Sequence, residues 1–215
     1  MSRPVTVTSV EKAGSGVYAV YTDGMFFAEL SSESVARGGL APGREISPET
    51  LEELRHDDCL KQAKNKAARL LGFKDRTKAE LIRRLSEDFD RETAEEAVEK
   101  LEALGLINEE SYAFRLARDL HGMKKFAPSR IVRELVRRGI PEELAEEAAA
   151  QFDGDDTADR IRAVIEKKYT ESIREEKGRR RAVNALLRLG YSLYDIRRVL
   201  TEYPAGGPQE DGEDF

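Results

Sequence analysis

Three arginines in the stretch "APSRIVRELVRRGI", residues 127–140, carry the plainest chemistry in this chain. Arg130, Arg133 and Arg137 stand three and four residues apart, so a helix sets them on one face, with Arg138 flanking it. A guanidinium is always charged and presents a planar fork of donors that fits carboxylate or phosphate oxygens. The chemistry implied is recognition of an anionic surface, not bond making. Arg115, Arg118, Lys124 and Lys125 crowd the same region, and Arg179, Arg180 and Arg181 form a second cluster further on. The competing reading is a solvated charged face with no partner.

Residues that could make or break bonds form no such constellation. His56 and His121 are distant in sequence, and neither has cysteine, histidine or carboxylate neighbours at metal-ligand spacing. Cys59 lies beside a helical apolar stripe and reads as a small buried side chain. Glu95-Glu96 and Glu146-Glu147 read as solvated helix faces. Gly38-Gly39 and Gly206-Gly207 lack the Lys-Ser/Thr that completes a phosphate loop. Tyr112, Tyr169 and Tyr191 could stack on bases, but helix packing is the simpler role. No catalytic group, metal or cofactor is expected.

Composition sets the class. Charged residues make up 36% of the 215 and aromatics 7%, with no tryptophan, the profile of helical repeat proteins. One cysteine excludes an internal disulfide and suits a reducing cytoplasm. There is no apolar run of membrane-spanning length and no signal-peptide layout at the N-terminus, so a cytoplasmic protein is expected. A net charge of −6 argues against nucleic acid as partner, yet the charge is unevenly spread. Residues 61–85 hold 9 basic and 2 acidic side chains, whereas residues 86–113 hold 2 and 10. Residues 114–138 hold 8 and 2, residues 139–159 hold 0 and 8, and residues 160–188 hold 10 and 4. Such alternation either neutralises neighbouring helices or lays a basic strip opposite an acidic one.

The elements that must position these charges are legible. "PVTVTSV", "GVYAVYT" and "MFFAEL" read as three short strands, with Asp23-Gly24 as a two-residue hairpin turn. Ser47-Pro48 then opens helical periodicity, with Leu60, Ala63, Ala67, Leu70 and Leu71 on one stripe. Thr77 and Glu80 read as a capping box before Leu81, Ile82 and Leu85. Asp90 caps a third helix with Ala94, Ala97, Val98, Leu101 and Leu104 inward.

The unit then repeats. Asn108, Pro128 and Pro141 open three more helices, in which Ile131 and Leu135 stand where Leu81 and Leu85 stood. A third pass places Ile161, Val164, Ile165 and Ile173 on one long helix, followed by Ala182 and Leu186. Ser192 with Asp195 then caps Ile196, Val199 and Leu200. The expected fold is mainly α: tandem three-helix repeats forming an elongated curved array, with a small N-terminal β-meander. The expected divisions are a three-stranded region 1–46, repeats at 47–107, 108–153 and 154–203, and a disordered acidic tail 204–215.

Several of these residues resemble the RecX family of RecA recombinase regulators. Arg76-Thr77-Lys78-Ala79-Glu80-Leu81 matches its Arg-[Ser/Thr]-x-x-Glu-Leu pattern, and "LEALGLINEESYA", residues 101–113, is similar to its repeat junction. Pro128, Arg130, Ile131, Glu134, Leu135, Arg138, Gly139 and Ile140 match its Pro-x-Arg-Ile-x-x-Glu-Leu-x-x-[Lys/Arg]-Gly-Ile stretch. Ala127 departs from the glycine usual before that proline, and Asp88 from the glycine before Phe89. The resemblance implies a non-enzymatic binder of the RecA filament on single-stranded DNA, which restrains its ATPase, strand exchange and co-protease activities. The expected partner is the RecA filament, with single-stranded DNA as a further contact, and the repeat itself leads to the expectation of an extended monomer. The alternative is a stand-alone helical protein that binds nucleic acid, and against it stands the negative net charge.

Overall fold

The computed structural model describes residues 3–153 and 157–204. Most of the tail expected at 204–215 lies outside the described residues. The chain divides into two compact units, Met1–Ile107 and Asn108–Phe215.

The first unit opens with a four-stranded antiparallel sheet of order β3-β2-β1-β4. Its strands are β1 (Val5–Gly14), β2 (Val17–Thr22), β3 (Met25–Ser31) and β4 (Glu45–Ile46). Thr22 pairs with Met25 across Asp23-Gly24, and both turn residues have positive φ (50° and 80°), as a primed two-residue turn requires. β4 escapes the three-strand reading because it is two residues long and carries no periodicity. It pairs Val5 with Ile46 and Thr6 with Glu45. A short helix α1 (Ser32–Gly38) follows β3 directly, capped by Ser31.

Helix α2 (Pro48–Phe73) is 26 residues long and serves two cores. Leu51 and Leu54 pack under the sheet with Val7, Val20 and Leu30. Leu60, Ala63 and Ala67 join Leu81, Leu85, Ala94, Ala97, Val98 and Leu101 of α3 (Lys78–Leu85) and α4 (Arg91–Ala103). The meander thus leans on the helices, because a few short strands bury too little apolar surface alone. Asp58 fastens the junction. Its buried carboxylate accepts from the hydroxyls of Ser31 and Ser34, from the Ser31 amide at 3.2 Å and from Gln62 at 2.8 Å. Burial pushes this carboxyl up, but those donors together outweigh it and hold it below its ordinary range.

Predicted caps form where expected. Thr77, Asp90, Asn108 and Ser192 each accept from the backbone amide three residues on. One core assignment fails: Leu104 is 71% exposed, not part of the α4 stripe. Helix α4 ends at Ala103, and Gly105 at φ 71° turns the chain away from the stripe's periodicity.

The second unit holds two more three-helix sets. Helices α5 (Glu109–Gly122), α6 (Pro128–Arg137) and α7 (Glu142–Ala150) enclose Ala113, Ala117, Ile131, Leu135, Ala145 and Ala148. Helices α8 (Thr157–Lys168), α9 (Glu176–Leu189) and α10 (Leu193–Leu200) enclose Ile161, Ile165, Ala182, Leu186, Ile196 and Val199. Ile173 is buried as expected but is not on a long helix, since α8 stops at Lys168 and a turn segment carries it. The chain reverses there so tightly that a Cβ on Gly178 would meet the Ser172 carbonyl oxygen at 1.9 Å.

The two sets interlock. The Ala127 amide donates to Leu189 O at 2.9 Å, Ser129 Oγ to Gly190 O at 2.8 Å and Tyr191 Oη to Lys125 O at 3.0 Å. Ala127 is itself buried with the α8–α10 cluster. Its φ of −71° explains why alanine serves where the family pattern has glycine.

Candidate functional site

Helix α6 presents its arginines unequally. Ile131 and Leu135 face the core, with no exposure. Arg130 is half-buried, its guanidinium 5.5 Å from the centre of the Phe126 ring. Arg133 and Arg137 are exposed, and Arg133 Nε donates to Ser129 O at 3.2 Å. The shared face predicted for these three is thus partly an internal surface, because the next repeat packs against the helix's first turn.

Arg137 and Arg138 converge on Glu134, which the charge pattern alone does not mark as special. Its carboxylate, 8% exposed, accepts from Arg137 at 2.7 Å and from Arg138 at 3.3 Å. Arg138 also donates to Tyr112 Oη at 3.1 Å, tying α6 to α5. The Arg137 hydrogen bond is the largest influence on Glu134 and, with Arg138, holds its carboxyl below the ordinary range despite burial. The matching pattern Ile-x-x-Glu-Leu-x-x-[Lys/Arg] is the sequence signal that could have revealed this ion pair.

The other cations of the second repeat stand outward. Arg115 and Arg118 are exposed and, with Asn108, Ser111 and Phe114, line an open groove of about 450 Å³ on α5. Arg115 lies 6.0 Å from the Tyr112 ring centre. Arg118, Lys124 and Lys125 are exposed, and their side chains have no ion-pair or hydrogen-bond partner among the described residues. Lys125 holds φ at 60°, left-handed backbone that is uncommon for a side-chain-bearing residue, and its carbonyl is pinned by Tyr191.

In the third repeat the triple cluster separates by role. Arg179 donates to the carbonyls of Tyr203 at 2.6 Å and Leu200 at 2.9 Å, closing the end of α10. Arg180 pairs with Glu176, one turn back on α9. Arg181 is exposed without a described partner. Only part of each cluster is therefore free to meet another molecule.

The groups set aside for chemistry have structural surroundings. His121 is buried, stacks 4.0 Å from the Phe152 ring and sits 3.0 Å from Phe126 O. His56 pairs with Glu96 at 2.9 Å. Cys59 is half-buried, and burial pushes its thiol up, away from the reactive thiolate. Tyr112 and Tyr191 are buried, so neither offers a stacking face. Among the described residues no group of three or more histidine, cysteine or carboxylate side chains could hold a metal, and no helix is long and apolar enough to cross a membrane.

Known proteins match the three-helix units of this chain. The first three-helix domain of RecX matches residues 63–101 and the second matches residues 108–148. Regulatory protein RecX of Clostridioides difficile is 26% identical over 201 residues, covering 92% of this chain and 94% of that protein. Regulatory protein RecX of Trichlorobacter lovleyi is 34% identical over 138 residues, 62% of this chain and 90% of its own length. A crystal structure of regulatory protein RecX superposes with a TM-score of 0.64 at 21% identity, covering 91% of this chain and 98% of that one. RecX from Lactobacillus salivarius superposes at 0.56 and 23% identity, over 68% of this chain and 97% of its own. Those two likenesses speak to fold, and the sequence relatives speak to descent. With one relative 34% identical over nine-tenths of its length, and both three-helix domains matched in order, the chain belongs to the RecX family.

Proposed function

We propose that this chain is a non-enzymatic regulator that binds the RecA filament on single-stranded DNA and restrains its ATPase, recombinase and co-protease activities. The observation that carries this reading is the outward set Arg118, Lys124, Lys125 and Arg133 in the second repeat, the stretch matched as the second RecX domain. These cations have no acidic partner among the described residues, whereas Arg137 and Arg138 already share Glu134. Unpaired exposed arginine and lysine favour an anionic partner, and a nucleoprotein filament offers both carboxylates and phosphates. Ionic complementarity supplies register and on-rate, and contact with more than one protomer supplies avidity.

Co-sedimentation tests the reading. The chain should pellet with filaments assembled on single-stranded DNA, and far less with the same DNA lacking recombinase. Equal retention on bare DNA would instead favour a stand-alone nucleic-acid binder.

A further inference from the structure

The core under the N-terminal sheet takes Val7, Val20, Ala28 and Leu30 from one face of the strands. Side chains alternate along a strand, so Ala19 and Tyr21 of β2 stand on the other face. Strand pairing sets two rows across that face, Glu11–Ala19–Glu29 and Ser9–Tyr21–Phe26, about 7 Å apart. Neither row holds a basic residue.

This outer face is both aromatic and acidic. Phe26 is 58% exposed, and Met25 beside it, paired with Thr22, is 72% exposed. The Tyr21 and Phe26 rings meet edge to face with centres 5.7 Å apart. The carboxylates in the next row are not neutralised. Glu11 is exposed and accepts from Ser9 Oγ at 3.0 Å, an uncharged donor. Glu29 is exposed, and its carboxylate has no hydrogen-bond or ion-pair partner among the described residues. Glu11 and Glu29 rise from strands that flank β2, about 10 Å apart, with the small Ala19 side chain between them.

That combination selects the occupant. Nucleic acid would set phosphates against Glu11 and Glu29, and two such sheets face to face would set carboxylate against carboxylate. An arginine-bearing polypeptide suits both rows. A guanidinium binds carboxylates through paired N–H donors and stacks on aromatic rings, which the strongly hydrated lysine ammonium does less well. Alternate residues of an extended segment are also about 7 Å apart, the spacing of the rows. We propose that this face docks an arginine-rich extended segment of another protein. One guanidinium lies between Glu11 and Glu29, and the next rests on the Tyr21–Phe26 rings. The surface lies wholly in the first unit and does not depend on the filament reading.

Fluorescence anisotropy of a labelled Arg-Ser-Arg-Ser-Arg-Ser peptide, titrated with the full-length chain, tests this at about 0.05 M salt, where exposed charges are weakly screened. The peptide should bind several-fold tighter than its lysine counterpart. Phe26→Leu keeps apolar bulk at an exposed site, so it should abolish that preference and leave circular dichroism unchanged. Glu11→Gln with Glu29→Gln should weaken both peptides about tenfold. A chain of net charge −6 attracts any polycation, so Glu146→Gln with Glu147→Gln makes the same charge change at exposed positions of α7. That control pair should leave both affinities unchanged. Equal effects of the two glutamate pairs overturn the proposal, reducing the contact to general attraction. Equal wild-type affinity for the two peptides overturns it too, as does an arginine preference that survives Phe26→Leu. A labelled single-stranded oligonucleotide that loses affinity on Phe26→Leu would overturn it in favour of nucleic acid.

Discussion

Gly190 lies against Arg130: a Cβ on Gly190 would stand 2.5 Å from the Cβ of Arg130 and 3.0 Å from its amide nitrogen. The contact sets Gly190 against the root of the Arg130 side chain and its backbone nitrogen, at the point where α9 ends and the first turn of α6 begins. Gly190 also has φ of 96°, a conformation that side-chain-bearing residues rarely adopt. Glycine here both ends α9 and lets the second and third repeats approach.

Gly190→Ala should therefore destabilise by at least about 2 kcal/mol, combining left-handed strain with a clash that neither backbone can relieve freely. Chemical denaturation measures it. A change below about 0.5 kcal/mol would show that the two repeats can separate without loss.

Leu135 is fully buried in the α5–α7 cluster, in the position that Leu85 holds in the first repeat. Leu135→Ala should cost about 2–5 kcal/mol by urea unfolding. A neutral substitution would mean that the two repeats are not in the register assigned to them.

Glu134 gives a pH signature. Its folded carboxyl is held below the ordinary value by Arg137 and Arg138, so its contribution is complete above the unfolded value of about 4.3. That contribution is lost as pH falls through the lower folded value. Glu134→Gln should cost roughly 1 kcal/mol at pH 7, and the gap from wild type should close on acidification below about pH 4. A gap independent of pH would assign Glu134 a packing role without its charge.

Much of this was legible beforehand, for definable reasons. Repeats, caps and core leucines follow from local rules: Thr77 accepts from the Glu80 amide, and Leu85 and Leu135 keep the helical period. The Asp23-Gly24 turn is fixed by two positive φ angles that its residue types accommodate. What sequence did not show depends on contacts distant along the chain. Arg130 looks as free as Arg133 until Gly190 and Phe126 are brought against it. Arg179 looks like its neighbour Arg181 until the end of α10 turns two carbonyls towards it. Leu104 matches the stripe period but falls one residue past the helix. Charge clusters thus announced a basic surface, while tertiary packing decided which of its arginines remain outward.

That distinction selects the variant for function. Reversing Arg130 or Arg137 would disturb the Gly190 contact or the Glu134 pair, confusing loss of fold with loss of binding. Arg118, Lys124 and Arg133 are exposed and lie off the core stripe, so Arg118→Glu, Lys124→Glu and Arg133→Glu together should fold normally.

The most direct measurement is the single-stranded-DNA-dependent ATPase of RecA filaments, titrated with the wild-type chain and with this triple variant. The wild type should inhibit. The variant, losing three exposed ionic contacts of up to about 1 kcal/mol each, should need on the order of a hundredfold more protein for the same inhibition. A wild-type chain that leaves the ATPase unchanged at saturating concentration would contradict the proposed function. A folded variant as potent as wild type would contradict the assignment of this surface.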